Sequence, residues 1–368
     1  MYFYQLSKAG GAERMLCALA NALSSQGHRV HVVSWDPPGA RSYYTLHEDV
    51  AWHRLGFKAG LSDKVRRTYA LSQLLRREGV RLLIGFVMSG DKTVYAAAKL
   101  AGVKLVAAER NAPSMYRLRH TSLQRWQCFL LLRSVDNVVV QFADYANGYP
   151  AALQGRIQTI ANPVAEAIRK ASPAKPDSLG RFSLLAVSRL DEIQKRVGQL
   201  IDAFALIAAR KTQWDLEIVG DGPDELALRN QITRLGLQER VRILPSTLSV
   251  FERYAASNLF ATSSLWEGFP NSLAEAMAHG LPAVGFAGAD GVAHLIEDGV
   301  TGWLATGKAD PAALAEALDA GMSDAAERER RGLAAVRAMA EYEPEKQYAE
   351  WLRLIDDLLR DCKQTASA

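Results

Sequence analysis

The chain has 368 residues, 49% hydrophobic and 23% charged, with a net charge of +4. At roughly 100–200 residues per domain that length reads as two domains, and the composition excludes a disordered, collagen-like or disulfide-scaffold chain. No apolar run approaches the roughly 18–20 residues that span a bilayer, and the opening MYFYQLSKAGG lacks the charged and apolar regions of a signal peptide. Three scattered cysteines (Cys17, Cys128, Cys362) without a CxxC spacing read as cytosolic thiols rather than as a disulfide framework or a metal site.

In chain order the elements alternate. YFYQL (from Tyr2), RVHVVSW, VRLLIGF, VKLVAA and NVVVQF are short β-rich runs, separated by amphipathic stretches such as AERMLCALANALSSQG and DKVRRTYALSQLLRREG. Apolar strands alternating with helices predict a parallel sheet covered on both faces. From Asn162 to Arg181 three prolines and Gly180 break the periodicity. The rhythm then restarts with FSLLAVS, WDLEIVG, VRILP, NLFATSS and LPAVGFA as strands and GQLIDAFALIAARK, PDELALRNQITRLGL and SLAEAMAHG as helices; from Asp310 onward the chain reads as helical. The predicted organisation is an α/β chain with a doubly wound domain over 1–163, a linker over 164–181, a second doubly wound domain over 182–342, and a terminal helical segment, 343–368, that packs back toward the first domain.

Charge is unevenly spread. From Arg54 to Arg133 there are 16 Lys and Arg against four acids, so this window carries +12 and the remainder of the chain −8. SDKVRRTYALSQLLRRE and SMYRLRHTSLQRWQCFLLLR read as helices, the second interleaving Tyr116, Trp126 and Phe129 with Arg117, Arg119, Arg125 and Arg133. Basic amphipathic helices with aromatics suit an anionic membrane surface, although a core-facing helix with a basic solvent face gives the same pattern. No nucleic-acid motif accompanies the charge, so nucleic acid is not an expected partner.

Four motifs carry chemistry. SKAGGAER puts Gly10 and Gly11 at a helix start, where free amides face a phosphate; a plain tight turn is the alternative. In SRLDEIQKR, Arg189 follows a strand and Lys195 precedes a helix, two cations suited to a pyrophosphate or simply a solvated turn. VGDGPDE places Gly220 at a strand-to-helix turn that is structural or lines a nucleotide site. SLWEGFPNSLAEAMAHGLP brings Glu267, the loop Gly268-Phe269-Pro270-Asn271 and Glu275 together. There the carboxylates suit sugar hydroxyls, while Ser272-x-x-Glu275 equally reads as a capping box. There is no Asp-x-Asp pair, HExxH, GxSxG or P-loop, which disfavours metal-dependent hydrolysis, serine hydrolysis and P-loop phosphoryl transfer; SKAGGAER is not GxGxxG, which disfavours a nicotinamide dehydrogenase.

In this order, up to about Asp310, these segments resemble the retaining nucleotide-sugar glycosyltransferases of family four. The likeness rests on GGAERMLCALANALSSQGH, ANPV, VSRLDEIQKRVGQLIDAFALI, LEIVGDGPDE and EGFPNSLAEAMAHGLPAV. The resemblance implies the GT-B fold, two Rossmann-like domains facing each other across a cleft that holds the active site. It implies Arg189 and Lys195 on the donor diphosphate, Glu275 on the donor ribose and Glu267 against the donor sugar. Gly10 and Gly11 would approach the diphosphate from the first domain, with Gly268, Phe269, Pro270, Asn271 and Gly220 lining the donor. The AERN string puts Glu109, Arg110 and Asn111 where a first-domain sugar contact is expected. The sequence departs from the family's pattern at Ser188, where a glycine is usual, and in AGADGVAHL, where Val292 and His294 replace a GGPxE pattern. The implied activity is metal-independent transfer of a hexosyl group from a UDP-sugar, with no cofactor, to a glycan or lipid-linked acceptor in cell-surface polysaccharide synthesis, in the cytoplasm or peripherally on the inner membrane face. A non-catalytic glycan- or partner-binding protein, or an epimerase or phosphorylase on the same fold, is the alternative.

Overall fold

A computed structural model describes residues 1–8, 10–57, 63–88, 91–247 and 249–365, with side chains up to 360. Lys58, within the basic window, lies outside the described residues. The chain divides into two compact units, Met1–Pro163 with Pro344–Ala368, and Val164–Glu343.

The first unit pairs β1 (His31–Ser34) with β2 (Ala51–Arg54), and β3 (Leu82–Phe86), β4 (Lys104–Ala108), β5 (Asn137–Val140) and β6 (Ile157–Thr159) in that order, all parallel. Tyr2 bridges the two sheets by pairing with both Val33 and Gly85. Of the predicted first strand YFYQL only Tyr2 therefore pairs on both sides; the chain then bends, and Asp36 accepts hydrogen bonds from the Leu6 amide (2.7 Å) and the Ser7 hydroxyl (2.6 Å). The strands β2 and β6, missed in the sequence, are short edge strands whose side chains are half exposed, so no apolar run marks them.

The helix Gly11–Ser25 forms because Met15, Leu16, Leu19, Ala20 and Leu23 recur on one face, and that face is buried. Each large apolar side chain buried there stabilises the unit by about 1.5–3 kcal/mol. The terminal helix Pro344–Thr365 joins the same core through Trp351, Leu354 and Ile355, with Trp351 stacked on Phe86 at 6.4 Å. The helix read over 114–133 is broken. A short helix, Met115–Arg119, ends at His120, and Thr121 opens a second, Ser122–Leu132, with a capping box to Gln124. The reciprocal Thr121–Gln124 bonds satisfy amides that a continuous helix would have paired internally. Arg67 of the helix Asp63–Arg77 is also no surface charge: it is buried, with its guanidinium 5.0 Å from the Trp35 ring.

The second unit is one six-stranded parallel sheet. Its strands are β7 (Phe182–Val187), β8 (Trp214–Val219), β9 (Val241–Leu244), β10 (Leu259–Ala261), β11 (Ala283–Phe286) and β12 (Gly302–Ala305), in the order β12-β11-β10-β7-β8-β9. The segment 164–181 belongs to this unit and is not a free linker. Asn258 Nδ2 donates to the carbonyl of Lys175 (2.7 Å), and Arg328 Nε to that of Pro173 (2.9 Å). Arg328 is fully buried against the Phe182 and Trp214 rings, and burial pulls its pKa down to about 10. The prolines that suggested a linker instead shape a strap whose carbonyls are taken up by these side chains.

Candidate active site

The second sheet reverses direction of growth between β7 and β10: the chain runs outward through β8 and β9, then returns to the other side of β7. Loops at the C-terminal ends of strands flanking such a switch point diverge and leave a crevice for ligands. Arg189 follows β7, and the loop carrying Glu267 follows β10.

These loops are tied together by side chains. Lys195 Nζ lies 2.5 Å from Glu267 Oε1, which also accepts from Ser264 Oγ at 2.6 Å. Gln194, buried and overlooked in the sequence, donates through Nε2 to the Trp266 carbonyl (3.0 Å) and lies 3.5 Å from Glu267 Oε2, while its Oε1 accepts from Arg189 Nη2 at 3.3 Å. Arg189 itself remains largely exposed, 3.7 Å from Asp191. Glu267 is only 7% exposed, and its amide donates to the Asp290 carbonyl at 2.8 Å. Two glycines permit this packing. Gly291, at φ +81°, would put a Cβ 2.6 Å from the Glu267 carbonyl oxygen, and a Cβ on Gly220 would strike the Ser188 carbonyl. Lys195 precedes the helix Val197–Ala208, whose N-cap, Arg196, adopts φ +50°, a conformation costing a non-glycine residue about 1–2 kcal/mol.

The helix Asn271–Ala278 has Pro270 as its N-cap and no side-chain cap, so the Ser272–Glu275 capping box does not form. Glu275 instead accepts from the Tyr254 hydroxyl at 3.1 Å and is half-buried. Its carbonyl faces His279 Nδ1 at 2.7 Å, and burial holds that imidazole below its ordinary pKa. Gly268, Phe269 and Pro270 are buried, the Phe269 ring edge-on to Tyr342 at 5.2 Å; Asn271 is half-buried. In place of GGPxE, Gly291 donates to His294 Nδ1 at 3.3 Å at the start of the helix Val292–Leu295.

In the first unit Gly10 is the N-cap of the helix Gly11–Ser25, in extended conformation, with the Glu13 carboxylate lying over it. Glu109 is directed inward. It is 3% exposed, accepts from the hydroxyls of Tyr116 (2.5 Å) and Tyr149 (3.4 Å), and burial raises its pKa. Arg110 donates to Asn162 Oδ1 at 2.9 Å, lies 4.8 Å from the Phe86 ring, and burial lowers its pKa to about 9. A sugar contact through Glu109 would require that tyrosine cage to open; Asn111 is half-buried.

Residues 9–166 match the family model of Glycosyltransferase Family 4, and residues 168–337 that of Glycosyl transferases group 1. Among relatives, an uncharacterized glycosyltransferase of Haemophilus influenzae is 27% identical over 82% of this chain and 84% of its own. A Campylobacter jejuni α-1,4-N-acetyl-D-galactosaminyltransferase, named for a diphospho-undecaprenol-linked GalNAc substrate, is 24% identical over 95% and 96%. Among solved structures, Anabaena HepE in complex with UDP and glucose aligns with a TM-score of 0.80 at 20% identity, over 97% of this chain and 98% of that one. The sucrose-phosphate synthase of Thermosynechococcus elongatus aligns equally well, with a TM-score of 0.80 at 18% identity over 96% and 94%. The chain belongs to the nucleotide-sugar glycosyltransferases of the GT-B fold.

Proposed function

We propose that the protein is a retaining, metal-independent glycosyltransferase that moves a hexosyl unit from a UDP-sugar to a hydroxyl of a lipid-linked glycan in cell-surface polysaccharide synthesis. The observation that carries this reading is the Arg189–Gln194–Glu267–Lys195 network at the strand switch point. When the bond from the sugar's anomeric carbon to the β-phosphate oxygen breaks, its electron pair passes to the diphosphate. The acceptor oxygen then bonds to the anomeric carbon from the same face, and its proton is taken up by the departing diphosphate. Lys195, held against Glu267 and largely withdrawn from water, and the exposed Arg189 are cations that stabilise that charge, the work a divalent ion does elsewhere. Glu267, held by Ser264 and Lys195, is positioned for the donor sugar, and Glu275 for the ribose hydroxyls.

Lipid linkage is supported by the name of the Campylobacter relative and by the surface of the first unit. The helix Ser122–Leu132 exposes Leu123, Trp126 and Leu130 beside Arg119, and the helix Asp63–Arg77 exposes Val65 and Tyr69 beside Lys64 and Arg66. Apolar side chains among cations fit an anionic lipid interface. No helix among the described residues is long and apolar enough to cross a membrane.

The reading is tested by measuring UDP release from UDP-sugars with and without a diphospho-isoprenoid-linked glycan. Release that needs the acceptor and persists in EDTA is the expected result. Binding without release would favour a glycan-binding protein, acceptor-independent conversion of the sugar an epimerase, and loss of activity in EDTA would remove metal independence.

A further inference from the structure

Gln194 stands between two groups of opposite charge and touches both. It is 6% exposed, in the loop that joins β7 to the helix Val197–Ala208. Its main-chain carbonyl accepts from the Leu265 amide at 2.8 Å, and the neighbouring Lys195 carbonyl accepts from Ser263 Oγ at 2.9 Å. These contacts stitch the loop after β7 to the loop after β10 whatever side chain stands at 194. The Gln194 side chain makes contacts of another kind. Its Nε2 donates to the Trp266 carbonyl at 3.0 Å and lies 3.5 Å from Glu267 Oε2, and its Oε1 accepts from Arg189 Nη2 at 3.3 Å.

The chemistry of that position suits a neutral amide. A carbonyl and a carboxylate accept, and a guanidinium donates, so the position needs a donor at one end and an acceptor at the other; the same requirement fixes which end of the amide faces Arg189. A glutamate there would repel Glu267, and a cation would repel Arg189 and compete with Lys195. The two oxygens of Glu267 are divided between neighbours: Oε1 is held by Lys195 and Ser264, and Oε2 faces Gln194. The Arg189 side chain is 56% exposed, and Asp191 Oδ2 lies 3.7 Å from the same guanidinium nitrogen, so amide and carboxylate compete for its direction.

We infer that Gln194 is a positioning residue of the donor site. Its amide fixes Arg189 and Glu267 relative to each other, so that the cation for the leaving diphosphate and the carboxylate for the donor sugar stand in one arrangement before the donor arrives. The inference rests on the donor-site reading above and adds to it a residue that acts through Arg189 and Glu267 rather than on the substrate. Groups held in place beforehand need no reorganisation as charge develops, so loss of the amide reaches binding through Arg189 and turnover through Glu267.

Two measurements on the full chain test it. The first is calorimetric titration with UDP of wild type, Gln194→Met, Arg189→Ala and the double variant. Methionine has nearly the shape of glutamine and no amide, and the main-chain bonds to Leu265 and Ser263 remain, so the thermal midpoint should hold. Gln194→Met should bind UDP about five- to tenfold more weakly than wild type and should add nothing to Arg189→Ala, because its effect runs through that arginine. The second is kcat of Gln194→Glu from acid to neutral pH, with a UDP-sugar that wild type turns over. Glutamate is isosteric, so this variant keeps the test if methionine disturbs packing. It still accepts from Arg189 but sets a second carboxylate against Glu267 Oε2, and such a pair holds one proton with a raised apparent pKa. The protonated carboxyl regains a donor for the Trp266 carbonyl. The ratio of variant to wild-type kcat should therefore rise as pH falls, whereas a merely structural defect lowers it by one factor at every pH. Full additivity of Gln194→Met with Arg189→Ala, or a pH-independent kcat ratio for Gln194→Glu, overturns the proposal. It fails alone if Arg189→Ala weakens UDP binding and Gln194→Met does not. If Arg189→Ala binds UDP as wild type does, the donor-site reading fails and takes the proposal with it.

Discussion

Lys195 and Glu267, 72 positions apart, meet at 2.5 Å with both side chains largely withdrawn from water. Neither charge can be left alone there without cost, because a partly buried charge that loses its partner keeps its desolvation penalty. Each single change, Lys195→Met or Glu267→Gln, should therefore destabilise the second unit more than the two together. Thermal melts of the four proteins of this cycle measure the coupling, expected at about 1–3 kcal/mol. Strict additivity would mean that the pair is not formed in solution.

The same residues should separate kinetically from Glu275. Contacts made equally before and during reaction appear in KM, and those made only in the transition state appear in kcat. Glu275→Gln is expected to raise the donor KM, and Glu267→Gln chiefly to lower kcat. Arg189→Ala and Lys195→Ala should each cost about 1.5–3 kcal/mol of donor binding. Because no capping box forms around Ser272, a silent Glu275→Gln cannot be ascribed to glutamine completing one, and would remove the ribose assignment.

Glu109 sets a pH dependence. Burial raises its folded pKa above the unfolded value, so folding favours the protonated carboxyl. Its contribution to stability is fully present below the ordinary glutamate value of about 4.3, and is lost as pH rises from there through the raised folded value. Glu109→Gln removes this term and keeps an acceptor for Tyr116. The difference in thermal midpoint between wild type and variant should shift in favour of the variant across that window and level off above it. A difference independent of pH from 4 upward, on the order of the ordinary range, would show that the carboxyl titrates as if solvated.

Membrane attachment predicts co-sedimentation with anionic vesicles that rises with their anionic content and falls with salt, each exposed Lys or Arg near the surface contributing on the order of 1 kcal/mol. Leu123→Ser/Trp126→Ser should weaken vesicle binding without changing UDP affinity. Replacing Arg117, Arg119 and Arg125 with Gln should weaken vesicle binding too. If neutral and anionic vesicles carry down equally little protein at low salt, the basic face is a solvated surface.

Much of this protein was legible in its sequence because the signals are local. Strands such as FSLLAVS and helices such as AERMLCALANALSSQG declare themselves by their own periodicity, and the strings around Arg189 and Glu267 carry their family likeness in consecutive residues. Tertiary structure alone decided what depends on residues distant in the chain. The sequence could not pair Lys195 with Glu267, set Gln194 between Glu267 and Arg189, or give Pro173 and Lys175 the side chains that convert an apparent linker into a strap. Nor could it show that Arg67 is buried beside the Trp35 ring while Arg117 is exposed, or that Glu109 accepts hydrogen bonds from Tyr116 and Tyr149. A charge has the same letter whether water, an aromatic ring or a carboxylate stands beside it, and only the packed chain determines which of these its neighbour is.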